Sequence, residues 1–433
     1  MKIFFSHLSV VLLLFSSFSF AQNSQWDLQK DNKTKVRVFN TFFETKEHLY
    51  ADLKKKYPKK IFKLMSEELD DFYKDFEKQF EDDVFVFDSR FYSYVNELFE
   101  EIIRQNPEVA NAKGILISRK TTLNAYSLPN EFVVINLGLF YWLENQDQMA
   151  AIIAHELGHS YFNHSLSDRV NTLLEENSKE SKKELKKLSK SKKGKSIKAR
   201  EALSSSLYAK SKHKREKELQ ADSMGYHFIK NSSFDKNQIV SSMELSSKYD
   251  SLQPVGLNAD MYRSLFDLEE QAFKEEWLQV EDLSSYNYDL LKSRFIKDSI
   301  ASHPDMETRI EKLISLFPEL ETNTKLTPSG TFTELEKLAK MNRVVSLHED
   351  ELYAHSLYEC LFRIQSSNEV DYYKYWLGKN LEELHKARLN YTFNKHVNRI
   401  NPKNQSESYM QFLSFLWNLS TSELGILAAF YQY

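Results

Sequence analysis

The sequence predicts a mainly α-helical protein with a small β-sheet, an α+β arrangement, and three observations point there. Glycine and proline are scarce, 9 and 8 in 433 residues, too few for the many tight turns of a β protein. Apolar residues recur at helical spacing: Phe39, Phe42 and Phe43; Phe62, Met65 and Leu69; Phe72 and Phe76; then Tyr94, Val95, Leu98, Ile102 and Ile103. Only two short runs, residues 114–118 and 131–136, are β-rich and bounded by polar turns, so they read as two strands of one small sheet.

In chain order, residues 1–21 read as a cleavable signal peptide: Lys2 is the positive start, Val10 to Phe20 the apolar run, and Ser19-Phe20-Ala21 the small-x-small cleavage site. Residues 22–85 form an N-terminal helical segment, and 86–320 the main domain. Within that domain, Asp88-Ser89 starts a helix that Asn106-Pro107 ends. A further helix is expected from Gln148 to about His164, with its N-cap in the region of Asp147. Residues 179–200 are dominated by Lys and Ser with two acidic residues. Without interleaved aromatics, they read as a solvated insertion rather than an anion-binding patch. Pro328-Ser329-Gly330 marks a linker before a helical C-terminal region, 331–433. A helix pair there, around 351–366 and 369–388, has the size of one tetratricopeptide-type unit, with no second copy to make an array.

Composition removes several function classes. The formal net charge of −4 argues against a nucleic-acid-binding protein. The single cysteine, Cys360, permits no intrachain disulfide and reads as a small buried apolar residue. After the signal peptide no segment reaches the roughly 18 uninterrupted apolar residues of a spanning helix. The apolar stretch 132–143 is broken by Asn136 and Gly138. These features predict an exported chain, periplasmic or secreted, with peripheral membrane contact left open.

The segment most informative about chemistry is His155-Glu156-Leu157-Gly158-His159. Residues four apart share a helix face, so both imidazoles can reach one metal ion. Glu156 points about a quarter-turn away, where it can serve as a base without ligating. Gly158 costs about 1 kcal/mol inside a helix, which suggests close packing against a neighbouring element. Catalytic zinc usually takes three protein ligands. A metzincin would place Gly at 162 and His at 165, but Phe162 and Ser165 stand there. His164, five residues past His159 on a continuous helix, would project away from the ligands, and reads as a helix-end residue. The better third candidate is Glu218, with Asp222 one turn later on the same face to hold a ligand in place.

Together these motifs resemble the zinc metallopeptidase family of the CAAX prenyl proteases, the HtpX-like proteases and the periplasmic BepA- and LoiP-like proteases. The resemblance covers roughly residues 88–316 and rests on ordered matches: Asn124-Ala125 with Pro129, Gly138-Leu139, Ala154 to His159 with Asn163-His164, Glu218 to Asp222, and Ser302-His303-Pro304 with Arg309-Ile310. It departs from the family at Pro129-Asn130-Glu131, where a Gly-rich turn is common, and it lacks the membrane helices of the prenyl-protease and HtpX branches.

The resemblance implies a zincin-like domain of the gluzincin type holding one Zn2+ per chain. His155, His159 and Glu218 would be ligands, Glu156 the general base and acid, and Asp222 the orienter of a ligand histidine. Asn124 and Ala125 would lie beside an edge strand on which a peptide substrate adds its backbone. Two readings stay open for His303 and Arg309. They stabilise the oxyanion, or His303-Pro304 caps a helix while Arg309 pairs with an internal carboxylate. In some relatives the matching histidine instead approaches the zinc and restrains activity. The implied substrates are proteins or peptides, with misfolded or unassembled envelope proteins as the expected class. The competing reading is a non-enzymatic or regulated chaperone-like protein that recruits partners through its C-terminal helices.

Overall fold

The computed structural model describes residues 26–178, 195–249, 254, 256–280, 306–366, 369–402 and 405–432, with backbone only for 195–212. Residues 1–21, expected to be a signal peptide, the side chains of the Lys-rich stretch 179–200 and the Ser302-His303-Pro304 motif lie outside the described residues. The expected class holds: sixteen α-helices and one three-stranded sheet are present among the described residues. They divide into two compact units, one from Gln29–Asp250 with Leu291–Leu335, the other from Met1–Leu28, Ser251–Leu290 and Glu336–Tyr433.

The first unit begins with α1 (Asn32–Lys56) and α2 (Lys59–Glu81). Asp31 caps α1 by accepting from the Lys33 and Thr34 amides, and Pro58 starts α2, where its missing N–H costs nothing. Their apolar stripes meet around Phe42, which is fully buried among Phe72, Tyr73, Phe76, Phe80 and Phe132 at centroid distances of 4.9–6.0 Å. This aromatic layer covers one face of the sheet through Leu116, Phe132 and Val134. Ile115, Ile117, Val133 and Ile135 alternate with them and are buried on the other face. α3 (Ser89–Gln105), capped by Asp88, packs on β1. Burial on both faces explains why these strands read as unbroken apolar runs.

The sheet runs β1 (Gly114–Ser118), β3 (Phe132–Asn136), β2 (Ala125–Ser127) in space. β1 pairs parallel to β3, with Gly114 opposite Phe132, and β2 pairs antiparallel, with Ala125 opposite Ile135. The sequence signalled two strands. β2 escaped because its three residues, Ala-Tyr-Ser, are too few to show alternation and only Ala125 is buried. A left-handed Glu131 (φ 65°) turns the chain from β2 into β3, doing without glycine the work of the Gly-rich turn. After β3 come α4 (Gly138–Trp142), α5 (Gln146–Tyr161), α6 (His164–Asn177), α7 (Lys195–Asn231), α8 (Gln238–Tyr249) and, past the 3-10 turn and helix α9 (Ala259–Phe266) of the second unit, α10 (Met306–Leu316).

α5 begins two residues before the expected start. Its cap is Asn145, whose side chain accepts from the Asp147 and Gln148 amides, while the Asp147 carboxylate accepts from the Asp235 amide. It also ends early, at Tyr161, because Asn163 adopts a left-handed conformation (φ 52°, ψ 41°) that asparagine tolerates better than most residues.

The second unit is helical: α9, α12 (Tyr353–Ser366), α13 (Val370–Leu389), α14 (Phe393–His396), α15 (Glu407–Asn418) and α16 (Thr421–Phe430), with much of α11 (Gly330–Glu349). Its core gathers Tyr262, Phe266, Trp277, Leu377, Leu381, Phe412, Phe415 and Leu416. Cys360 lies inside it as a buried free thiol, and burial pushes its pKa well up, so it stays protonated and inert. Among the described residues no helix is long and apolar enough to cross a membrane.

Candidate metal centre

Two helices build the centre. α5 presents His155 and His159 one turn apart, and α7 presents Glu218 and Asp222 one turn apart. Their approach is close enough to need glycine on both sides. A Cβ at Gly158 would lie 2.7 Å from the Ala221 carbonyl oxygen, and one at Gly225 would lie 3.0 Å from the Cα and N of His155. The close packing expected of Gly158 is thus present, and Gly225 is its counterpart on α7.

His155 Nε2 and His159 Nε2 are 3.1 Å apart, and Glu218 sets its carboxylate 3.6 Å from the first and 3.7 Å from the second. A tetrahedral zinc with bonds of about 2.0–2.1 Å spaces its ligand atoms roughly 3.3 Å apart, so these three donors fit that ion. They are the metal-capable group of His, Cys, Asp and Glu found among the described residues. Charge agrees with geometry. When ionised, the buried carboxylates Glu156, Glu218 and Asp222 face one buried guanidinium, Arg309, which leaves an excess a divalent cation balances.

Each histidine is held from behind. His155 Nδ1 lies 2.9 Å from Asp222 Oδ1, so Asp222 stands behind His155. His159 Nδ1 lies 2.9 Å from His164 Nδ1, and His164 Nε2 lies 3.0 Å from Gln220 Oε1. Sequence reasoning set His164 aside because a continuous helix would carry it away. The left-handed Asn163 ends α5 and folds the first residue of α6 back onto it. An Asn-His pair just after the second histidine of the motif was the available signal; nothing in the sequence pointed to Gln220.

Electrostatics follow from burial opposed by pairing. Burial works against charging His155, but Asp222 and Glu218 outweigh it and raise its pKa to about 10. His159 goes the other way, down to about 3, through burial and the neighbouring His155. Two imidazoles this close cannot both be charged, and the carboxylate-backed one keeps the proton. Burial also lowers the pKa of His164. Asp222 is held below its ordinary value against burial by the charge and hydrogen bonds of Arg309 and His155.

Arg309 lies within the acidic cluster. It is buried, with Nε 2.8 Å from Asp222 Oδ2, Nη2 2.6 Å from Asp222 Oδ1, and Nη1 3.0 Å from Glu218 Oε2. All three nitrogens face carboxylates, the second of the two roles open to it. The reason is tertiary: α10 packs on α7 and sets the guanidinium beside two acids one turn apart. His303, its companion in the motif, lies outside the described residues.

Beside the donors opens a cavity of about 310 Å³, lined by His155, Glu156 and Arg309, by Thr122, Leu123, Asn124 and Ala125, and by apolar Leu139, Ile239, Met243, Tyr249 and Met306. Asn124 and Ala125 thus share a cleft with Glu156. Ala125 opens β2, which lies at the edge of the sheet and has no further described strand beyond β3.

Fold and site together define a metallopeptidase-type unit: a helix with two histidines and a glutamate, a second helix with an acidic donor, and an edge strand along the cleft. The chain belongs to peptidase family M48, whose sequence profile matches residues 92–316, just over half of its length. M48 peptidases are zinc-dependent, in agreement with the donor set His155, His159 and Glu218. Comparison with the curated proteins gives no match.

Proposed function

We propose that this protein is a zinc-dependent endopeptidase of the cell envelope. The observation that carries the reading is Glu156, which lines the peptide-sized cleft next to three donors spaced for zinc. His155, His159 and Glu218 would hold the ion. Bound zinc supplies Lewis acidity, lowering the pKa of water at its open position to about 7 and polarising the scissile carbonyl.

The remaining steps belong to the chain's own residues. An extended substrate lies along β2, with Asn124 and Ala125 beside its backbone. Glu156 takes the proton from the attacking water and returns it to the leaving amine. Asp222 orients His155, and Arg309 neutralises Asp222 and Glu218 so that the acidic cluster stays folded. The apolar lining from Leu139, Ile239, Met243 and Tyr249 receives an apolar side chain of the substrate, as an unfolded protein would offer. The N-terminal segment directs export, and misfolded or unassembled envelope proteins are the proposed substrates.

Replacing Glu156 by Gln tests the mechanism. The variant should retain one zinc per chain while cleavage of an unfolded protein falls about 100- to 10,000-fold. Cleavage at the wild-type rate would sink the assignment.

A further inference from the structure

We infer that His164 and Gln220 fix the tautomer of His159 and so prepare it to bind metal, an inference that rests on reading His155, His159 and Glu218 as a zinc centre. A neutral imidazole ligates through Nε2 only when the proton sits on Nδ1. For His155 the Asp222 carboxylate, which can only accept, settles the matter. For His159 the neighbour at Nδ1 is another imidazole nitrogen, His164 Nδ1, at 2.9 Å. One of the two must carry the proton and the other must be bare.

The choice is made one residue further out. The Gln220 carbonyl oxygen lies 3.0 Å from His164 Nε2 and accepts from it, so His164 keeps its proton on Nε2 and its Nδ1 is bare. His159 then donates Nδ1–H to His164, and its Nε2 lone pair faces His155 Nε2 and Glu218. In the opposite tautomer an N–H would point into the donor cluster and block it. Zinc binding and the orientation of the Gln220 amide are therefore linked: the ion selects the state with the carbonyl toward His164.

The backbone and packing hold His164 in place. The left-handed Asn163 brings His164 back to α5. The His164 ring is buried and stacked on Phe162, with centroids 5.3 Å apart and planes at 16°. The two ligand histidines are thus supported unequally, one by a buried anion and one by a neutral ring. His164 is a positioning residue, acting through His159.

The test uses the full-length protein, with zinc affinity measured by chelator competition and histidine tautomers by nitrogen-15 NMR. His164→Leu removes the acceptor and should weaken zinc binding about 10- to 100-fold. His164→Asn sets an amide oxygen near the former Nδ1 and should recover most of that loss. In the zinc-loaded wild type, His164 should carry its proton on Nε2 alone. Wild-type affinity in His164→Leu, or a proton on His164 Nδ1 in the loaded protein, would overturn the inference. Should His164→Leu fail to fold, the wild-type NMR result decides. A wild-type chain that takes up no zinc would overturn the metal reading itself, a distinguishable failure.

Discussion

Replacing Arg309 by Met removes the cation that two buried carboxylates depend on. Asp222 and Glu218 are 1% and 4% exposed, and Arg309 meets them at 2.6–3.0 Å. Breaking a buried pair from one side typically costs about 3–5 kcal/mol. His155 remains 2.9 Å from Asp222 Oδ1 and offsets part of the missing charge, which favours the lower end of that range. The pH dependence has a definite sign. In the native protein Asp222 is lowered, so its pairing stabilises above the unfolded value and is lost below it. In the variant Asp222 keeps His155 but loses Arg309, the cause that lowers it most, so the gap between the two proteins should be present above the unfolded value near pH 4 and close as pH falls below it. Thermal unfolding of the zinc-free proteins measures it, with an expected loss of roughly 6–20 °C at pH 7, from about 2–4 °C per kcal/mol. Arg309→Lys, which keeps the charge but not the fork, should lose less. Saturating zinc should restore part of the loss by supplying positive charge beside Glu218. Equal melting of Arg309→Met and wild type at pH 7 would refute this account of the cluster.

Other outcomes follow from specific contacts. Gly158→Ala puts a methyl 2.7 Å from the Ala221 carbonyl oxygen. The overpacking cost of about 1–3 kcal/mol should exceed the helix-propensity gain of about 1, lowering both melting temperature and zinc affinity; an unchanged affinity would show that the helices separate without moving the donors. In the helical unit, burial opposes ionisation of Glu423, but Lys274 and the Ser420 cap bring its pKa down to about 2. Its stabilisation is present above the unfolded value near pH 4.5 and disappears as pH falls toward 2, so Glu423→Gln should lose on the order of 1–2 kcal/mol at neutral pH and match wild type near pH 2. Denaturant titrations at pH 7 and near pH 2 read this difference, and a constant gap would contradict it.

Much of the centre was legible because its spacing is local. His155 and His159, and again Glu218 and Asp222, lie four residues apart, and one turn of helix makes each pair neighbours wherever the helix packs. The aromatic stripes of α1 and α2 were legible for the same reason, and β1 and β3 announced themselves by burial on both faces. β2 was too short to show a period, and the turn at Glu131 hides behind a residue that seldom adopts positive φ. His164 was misplaced because one left-handed asparagine changes the direction of everything after it.

By itself, then, the sequence determined the helical class, the two histidines flanking Glu156, and the acidic pair of which Glu218 completes the donors. Tertiary structure decided the rest: that α5 and α7 meet through Gly158 and Gly225, that Arg309 serves Asp222 and Glu218, and that His164 returns to His159. The physical reason is range. A helix turn sets the first group within a few residues, whereas the second depends on where a chain reversal and a backbone-to-backbone contact carry groups far apart in sequence.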